Sequence, residues 1–231
     1  MNESAHISHL FDQELERLRT SVLAMGGLIE AQIDQAAMAY GENDAEAVQR
    51  VLDADKRVNL LEKEIDNDCV HIIARRQPAA SDLRLVMGVS KIVTDLERAG
   101  DEAKKIAKGV RRIQANGQRI QSPDAAEVRH LAQVAIDLLR RSLDAFARLD
   151  IETAFGVIRD DAELDREFKS LVRQLITYMM EDPRSISVSM DIITIARAIE
   201  RAGDHAKSIS QQVVFIVEGQ DIRHAGKEKA E

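Results

Sequence analysis

Apolar residues recur every three or four positions over most of the chain, and only a few short segments interrupt the pattern. This spacing puts apolar side chains on one face of a helix, so each uninterrupted stretch predicts an amphipathic helix of roughly 25 to 36 residues. The interruptions are loop-forming segments at 40–44, 75–81, 115–124, near 150 and at 181–185. The pattern therefore predicts six long helices, with Asp44, Ser81 and Asp182 as N-cap residues.

The third and sixth predicted helices contain the same five residues, Glu-Arg-Ala-Gly-Asp, at 97–101 and at 200–204. The apolar positions around these pentapeptides also coincide, and the second and fifth helices match each other in the same way. Such an internal repeat predicts an all-α protein made of two tandem three-helix bundles. The predicted boundaries are 1–117 for the first unit and 122–218 for the second, with a disordered tail at 219–231.

Composition supports the helical prediction and excludes some classes of function. Aromatic residues make up 3% of the chain, whereas strands favour aromatic and β-branched residues. The formal net charge of -8 argues against nucleic acid as a partner, because a phosphate backbone attracts basic surfaces. Neither a signal peptide nor an apolar run that could span a membrane is visible, which predicts a cytoplasmic protein. The single cysteine, Cys69, lies among apolar positions and is predicted to be a core thiol.

Acidic residues spaced four apart are the main candidates for chemistry. Such residues share one face of a helix, and two like charges there repel each other, so we expect something to compensate them. If acidic residues of neighbouring helices face each other, their oxygen atoms suit a cation such as Mg, Mn, Fe or Zn. The pairs are Glu97 with Asp101, Glu200 with Asp204, Asp55 with Asn59, and Asp161 with Asp165.

Other interpretations of these pairs stay open. Asp101 can pair with Lys105 four residues later, so the acidic face can simply be a solvated one. Glu97 and Asp101 lie away from the apolar seam of their helix, so the acidic sets meet only if the flanking apolar residues pack towards the second helix. Gly100 and Gly203 each cost about 1 kcal/mol of helix stability relative to alanine, which indicates a closely approaching partner, such as an ion.

Two further groups of residues point less clearly to chemistry. Glu127 and His130 form one Glu-x-x-His pair, but a ferritin-like di-iron site needs a second, for which Asp68 and His71 are a poor substitute. The arginines in the 75–84 turn either attract an anion or are simply solvated. A helical metal-binding protein or metalloenzyme is therefore the alternative to a non-catalytic protein.

Five longer motifs are spread over nearly the whole chain: the paired ERAGD segments, RRQPAASDLR, VLAMGG, AFARLD and RQLITYMMED. Together they resemble the PhoU family of bacterial phosphate uptake. The resemblance implies two three-helix bundles whose Glu/Asp-x-x-x-Asp motifs bind multinuclear iron or zinc in some members. Carried onto this chain, it implies metal ligands at Glu97, Asp101, Asp161, Asp165, Glu200, Asp204 and Asp55. The first half departs from the motif because Asn59 stands where an acid is expected.

The same resemblance implies what the protein does and with whom. It implies a non-catalytic regulator that couples the ATPase subunit of a phosphate ABC transporter to a membrane sensor histidine kinase. This regulator represses the phosphate-starvation response when phosphate is plentiful. A homodimer is also expected, with iron or zinc, or alternatively magnesium or manganese, as the bound metal. Long amphipathic helices suit this role, because a rigid bundle can present complementary surfaces to two partners.

Overall fold

The computed structural model describes residues 3–42, 44–116 and 122–223, and almost all of them lie in long α-helices. The helices are α1 Glu3–Glu42, α2 Ala45–Arg76, α3 Ala80–Ala115, α4 Ser122–Arg148, α5 Ile151–Glu181 and α6 Ile186–Glu218. A single 3₁₀ turn, Pro183–Ser185, separates α5 from α6. The predicted all-α fold with six long helices is confirmed.

Aspartate side chains start three of these elements. Asp44 Oδ1 accepts hydrogen bonds from the backbone N–H groups of Glu46 and Ala47, at 2.9 and 3.0 Å. Asp150 caps α5 in the same way, although the sequence analysis did not single it out. Asp182 caps the 3₁₀ turn rather than α6 itself. Each carboxylate satisfies backbone donors that have no partner within their own helix.

The predicted N-cap at Ser81 is wrong. The extended residue before α3 is Ala79, which has no side-chain hydrogen bond to the helix. The Asp82 N–H donates to the Ala79 carbonyl at 3.1 Å, so Ser81 already lies in the first turn. Pro78 has a fixed φ and no N–H, and the chain turns into the helix directly after it.

Helices α3 and α6 pack against each other along the middle of the molecule. Two glycines of α3 allow this close approach. A Cβ on Gly88 would lie 2.4 Å from Ile216 Cγ1, and one on Gly109 would lie 2.6 Å from Ile195 Cγ1. The helices are antiparallel, because the first half of α3 meets the end of α6.

The other four helices surround this central pair. Helix α2 packs against α3, and α5 packs against α6. Helix α1 contacts α2, α3 and α4, while α4 contacts α1, α5 and α6. The buried apolar residues of both halves form one continuous cluster. The two three-helix bundles are therefore related by the predicted repeat and share a hydrophobic core.

Three remaining predictions concern Cys69, the tail and the membrane. Cys69 is buried, its Sγ lies 3.8 Å from the Val86 carbonyl, and burial raises the pKa of the thiol to about 12, as expected of a core thiol. Helix α6 ends at Glu218, and the residue after it, Gly219, has a left-handed φ of 76°. Residues 224–231 of the predicted tail lie outside the described residues. Within the described ranges, no helix is long and apolar enough to cross a membrane.

Candidate functional site

The acidic residues of α2 and α3 lie close together on the facing sides of these helices. We name the set the first acidic cluster: Asp55, Glu62, Glu97 and Asp101. Burial raises the pKa of Glu97 above its ordinary value of 4.5, and the negative charges of the other three raise it further. Two of the three flanking apolar residues, Val86 and Val93, are fully buried, and the Val86 carbonyl lies 3.8 Å from Cys69 Sγ of α2. The third, Leu83, is 38% exposed. The acidic sets of α2 and α3 therefore meet, although only part of the expected apolar packing is present.

An equivalent set lies between α5 and α6. We name it the second acidic cluster: Asp161, Asp165, Glu200 and Asp204. Asp204 lies on the exposed side of this cluster, yet partial loss of its hydration raises its pKa above 3.8, and the charges of Asp161 and Asp165 raise it further. Burial and the neighbouring charges of Asp204 and Asp165 also raise the pKa of Glu200. In both clusters, desolvation and repulsion between carboxylates destabilise the charged forms, and neighbouring groups must offset this free-energy cost.

A lysine lies against the aspartate of the neighbouring helix in each cluster. Lys104 Nζ donates to Asp55 Oδ2 at 2.6 Å and lies 3.6 Å from Asp101 Oδ1. Lys207 Nζ donates to Asp161 Oδ2 at 2.7 Å. The sequence analysis missed both lysines, although the repeat continues to them as ERAGDEAK and ERAGDHAK. The signal was present in the sequence; only the packing of adjacent helices shows what the lysines contact.

The pairing considered for Asp101 is not the one observed. Lys105 Nζ lies 2.7 Å from Glu102 Oε1, so it neutralises a different carboxylate. Glu102 is itself buried, and its Oε2 atom has no hydrogen-bond partner among the described residues. The cation beside Asp101 is Lys104, three residues along the helix. The first acidic cluster is therefore not simply a solvated face.

Asn59 stands beside the first cluster where the second cluster has Asp165. The Asn59 Oδ1 atom is buried and has no hydrogen-bond partner among the described residues. The Asp165 side chain is 42% exposed, and its Oδ2 atom lies 4.0 Å from Lys169 Nζ. The change from acid to amide therefore removes a charge and leaves an oxygen atom that accepts no hydrogen bond from the described residues.

The seven predicted metal ligands thus fall into two clusters, three in the first half and four in the second. Carboxylate oxygens are the ligands that hard cations prefer. However, no three His, Cys, Asp or Glu side chains in the described part of the chain are placed so that they could hold a metal ion. In this arrangement the carboxylates do not fit a metal centre, and the cation beside Asp55 and Asp161 is a lysine. Binding of iron, zinc, magnesium or manganese stays a prediction.

One of the two repeated glycines is explained by helix packing. A Cβ on Gly203 would lie 2.2 Å from Cδ2 of the fully buried Leu164. A Cβ on Gly100 would make an ordinary contact, 3.4 Å from Val58 Cγ1, so packing does not require a glycine there. The close partner predicted from these glycines is therefore present at Gly203, where it is a side chain of the neighbouring helix.

The remaining candidates lie away from both clusters. His130 Nε2 is 3.2 Å from Glu167 Oε1, so the Glu-x-x-His pair on α4 meets an acid of α5. Arg76 forms two hydrogen bonds with Glu14, at 2.8 and 2.9 Å. Arg84 Nε donates to the Ile216 carbonyl at 3.2 Å. These two arginines of the 75–84 turn are thus engaged within the protein.

Comparison with known proteins places the chain in a family. Residues 22–110 and 128–213 match the family model described as PhoU domain. The chain belongs to the PhoU family. The first matched segment contains the first acidic cluster with Lys104, and the second contains the second cluster with Lys207. Each PhoU domain of this chain therefore carries one cluster.

Curated PhoU relatives are similar over almost the whole chain. The phosphate-specific transport system accessory protein PhoU homolog of Pseudomonas putida is 49% identical over 222 residues, which are 96% of this chain and 86% of the relative. The phosphate-specific transport system accessory protein PhoU of Escherichia coli K12 is 44% identical over 226 residues, which are 98% of this chain and 92% of the relative. These names describe accessory proteins of transport.

Solved PhoU structures have the same fold. PhoU from Pseudomonas aeruginosa superposes with a TM-score of 0.86 at 45% identity, over 91% of this chain and 100% of the other. The phosphate transport system regulatory protein PhoU from Streptococcus pneumoniae gives 0.83 at 26% identity, over 91% and 98%. The six-helix arrangement is thus that of PhoU.

Proposed function

We propose that this protein is a non-catalytic regulator of phosphate uptake and phosphate homeostasis. It couples the ATPase subunit of a phosphate ABC transporter to a membrane sensor histidine kinase, and it represses the phosphate-starvation response when phosphate is plentiful. The observation that carries the proposal is the similarity, over 96 to 98% of the chain, to proteins named as accessory to phosphate-specific transport.

Features of the structure support a role in which the protein acts through contacts. The shared core makes the two PhoU domains one rigid body, so two similar outer surfaces are held at a fixed separation. Each surface carries an acidic cluster, and the chain has a formal net charge of -8. Acidic surfaces of this kind favour partners with basic surfaces and speed their association. One such surface can face the transporter and the other the kinase, at the cytoplasmic side of the membrane.

Co-purification tests the coupling. The purified protein is immobilised and offered the ATPase subunit of the transporter, or the cytoplasmic part of the kinase, each at moderate salt. We expect both to be retained, and more strongly at low salt than at high salt, because the contacts involve exposed charges. A matched acidic helical protein without PhoU domains is the control. Retention of neither partner would remove the physical basis of the proposal.

The homodimer follows from the family resemblance and is tested separately. Light scattering after size-exclusion chromatography should give about twice the 25.8 kDa of one chain. A mass equal to one chain at all concentrations contradicts the dimer but leaves the regulatory function untouched.

Catalytic turnover is the outcome that would favour the metalloenzyme alternative. We expect the purified protein, with and without added iron or zinc, to show no phosphatase or ferroxidase turnover above the same protein after heat denaturation. Turnover that increases with enzyme concentration would overturn the non-catalytic proposal.

A further inference from the structure

Each acidic cluster contains its own cation at an equivalent position. Lys104 and Lys207 occupy the same place in the two copies of the ERAGD repeat, and each donates to an aspartate of the preceding helix, Asp55 or Asp161. The two distances, 2.6 and 2.7 Å, are those of strong charge-assisted hydrogen bonds. Two independent copies of the sequence thus build the same contact.

The aspartates that receive the lysines are the most buried acids of their clusters. Asp55 is 8% exposed and Asp161 is 4% exposed. Water is therefore largely excluded from these two carboxylates, and a buried charge needs a partner. Lysine is an ammonium ion at neutral pH, and the 2.7 Å hydrogen bond from Lys207 Nζ to Asp161 Oδ2 stabilises this charged form. The lysine therefore remains an ammonium ion.

The remaining acids do not complete a second cation site beside the lysine. In the described part of the chain, no three ligating side chains are arranged to hold a metal ion. A metal ion at Asp161 would lie next to the positive charge of Lys207, at a distance where like charges repel strongly. The ammonium group and a divalent ion therefore compete for one position.

We propose that Lys104 and Lys207 are the built-in counter-cations of the two acidic clusters, and that a divalent metal ion binds at either cluster only by displacing the lysine. The metal site that the family resemblance implies is thus closed in this chain by one of its own side chains. Each cluster therefore holds one cation, which is the ammonium group of the lysine unless a metal ion displaces it.

Manganese binding to lysine variants tests the proposal. Free Mn²⁺ is measured by electron paramagnetic resonance during titration of the wild type, Lys104→Met and Lys207→Met. We expect each variant to bind Mn²⁺ more tightly than the wild type, on the order of tenfold or more, because a repelling charge has been removed. Lys207→Arg keeps the charge and should bind as weakly as the wild type. Lys105→Met is the matched control on the same helix as Lys104, because Lys105 pairs with Glu102. Its Mn²⁺ affinity should equal that of the wild type.

Chemical labelling of the wild type gives a second test that does not depend on a variant folding. Lysines are acetylated with limiting acetic anhydride, with and without saturating Mn²⁺, and the modified positions are quantified by mass spectrometry. We expect Mn²⁺ to increase labelling of Lys104 and Lys207 severalfold relative to Lys105. Unchanged or reduced labelling while Mn²⁺ is bound, or equal Mn²⁺ affinity of Lys207→Met and the wild type, would overturn the proposal.

Discussion

At the scale of single residues, the acids of one cluster have different roles although they look alike in the sequence. Asp161 and Asp165 are one helical turn apart on α5. The Asp161 side chain is 5% exposed and receives the Lys207 ammonium group, whereas the Asp165 side chain is 42% exposed, with Lys169 at 4.0 Å. An exposed pair contributes little to stability, but removing one partner of a buried pair leaves an uncompensated charge. The two carboxylates should therefore respond differently to the same substitution.

The first prediction compares Asp161→Asn with Asp165→Asn. The first change removes the carboxylate beneath Lys207 and should lower the free energy of unfolding by about 1–3 kcal/mol. The second removes a repelling charge, and Asn59 already occupies the matching position in the first half, so a change within about 0.5 kcal/mol is expected. Urea unfolding of both variants in the presence of a chelator measures the difference. Equal losses would contradict the roles assigned to these residues.

The second prediction concerns pH and Glu200. Burial raises its pKa above 4.5, so the folded state holds a proton there more tightly than the unfolded state does. The free energy of unfolding contributed by this group therefore falls as pH rises from 4.5 through the raised pKa. Glu200→Gln removes the titration and should reduce the loss of stability as the pH rises above 4.5. The matched control is Glu163→Gln on an exposed face; an unchanged pH profile in Glu200→Gln would refute the prediction.

At the scale of helices, the sequence predicted where each element begins and ends better than what each face contacts. Proline and capping residues are local signals, and they identify Asp44 and Asp182, although Asp182 caps the 3₁₀ turn before α6. The sequence analysis misplaced Ser81 and missed Asp150. The partner of Asp101 was misassigned because spacing within one helix suggested Lys105. The contact between Lys104 and Asp55 depends on how α2 packs against α3, and the spacing of residues within one helix does not reveal this packing. The same holds for the side chain beneath Gly203.

The third prediction compares two helical glycines that differ in the space available to an added Cβ atom. Gly203→Ala forces a methyl group against buried Leu164, and overpacking of about 1–3 kcal/mol should exceed the gain in helix propensity of about 1 kcal/mol. Gly27 has no atom within 4 Å of an added Cβ, so Gly27→Ala should stabilise the protein by about 1 kcal/mol. Thermal unfolding of both variants gives the signs. Stabilisation by Gly203→Ala would show that the close contact with α5 is not needed.

At the scale of the whole molecule, the two PhoU domains share one hydrophobic core. The repeat and the six helices could be read from the sequence because periodicity and duplication are local or linear patterns. The central position of α3 and α6 could not be predicted, because their apolar faces are equally compatible with two separate bundles. In the structure, α3 buries part of its apolar face against α6 of the other half.

The fourth prediction follows from this shared core. Residues 1–117 expressed alone should not fold cooperatively, because the face of α3 that α6 covers is left in water. The full chain should unfold in one transition, with equal calorimetric and van't Hoff enthalpies. Circular dichroism and calorimetry of both proteins measure this. A cooperatively folded fragment, or two separate transitions in the full chain, would show that the halves are independent.

The central claim, that this protein represses the phosphate-starvation response, is tested most directly in the bacterium that carries its gene. A reporter fused to a phosphate-starvation promoter is measured in phosphate-rich medium in the wild type, in a deletion strain, and in that strain with the gene restored. The account predicts a reporter that is off in the wild type, on in the deletion strain, and off again when the gene is restored. A reporter that stays off in the deletion strain would contradict it.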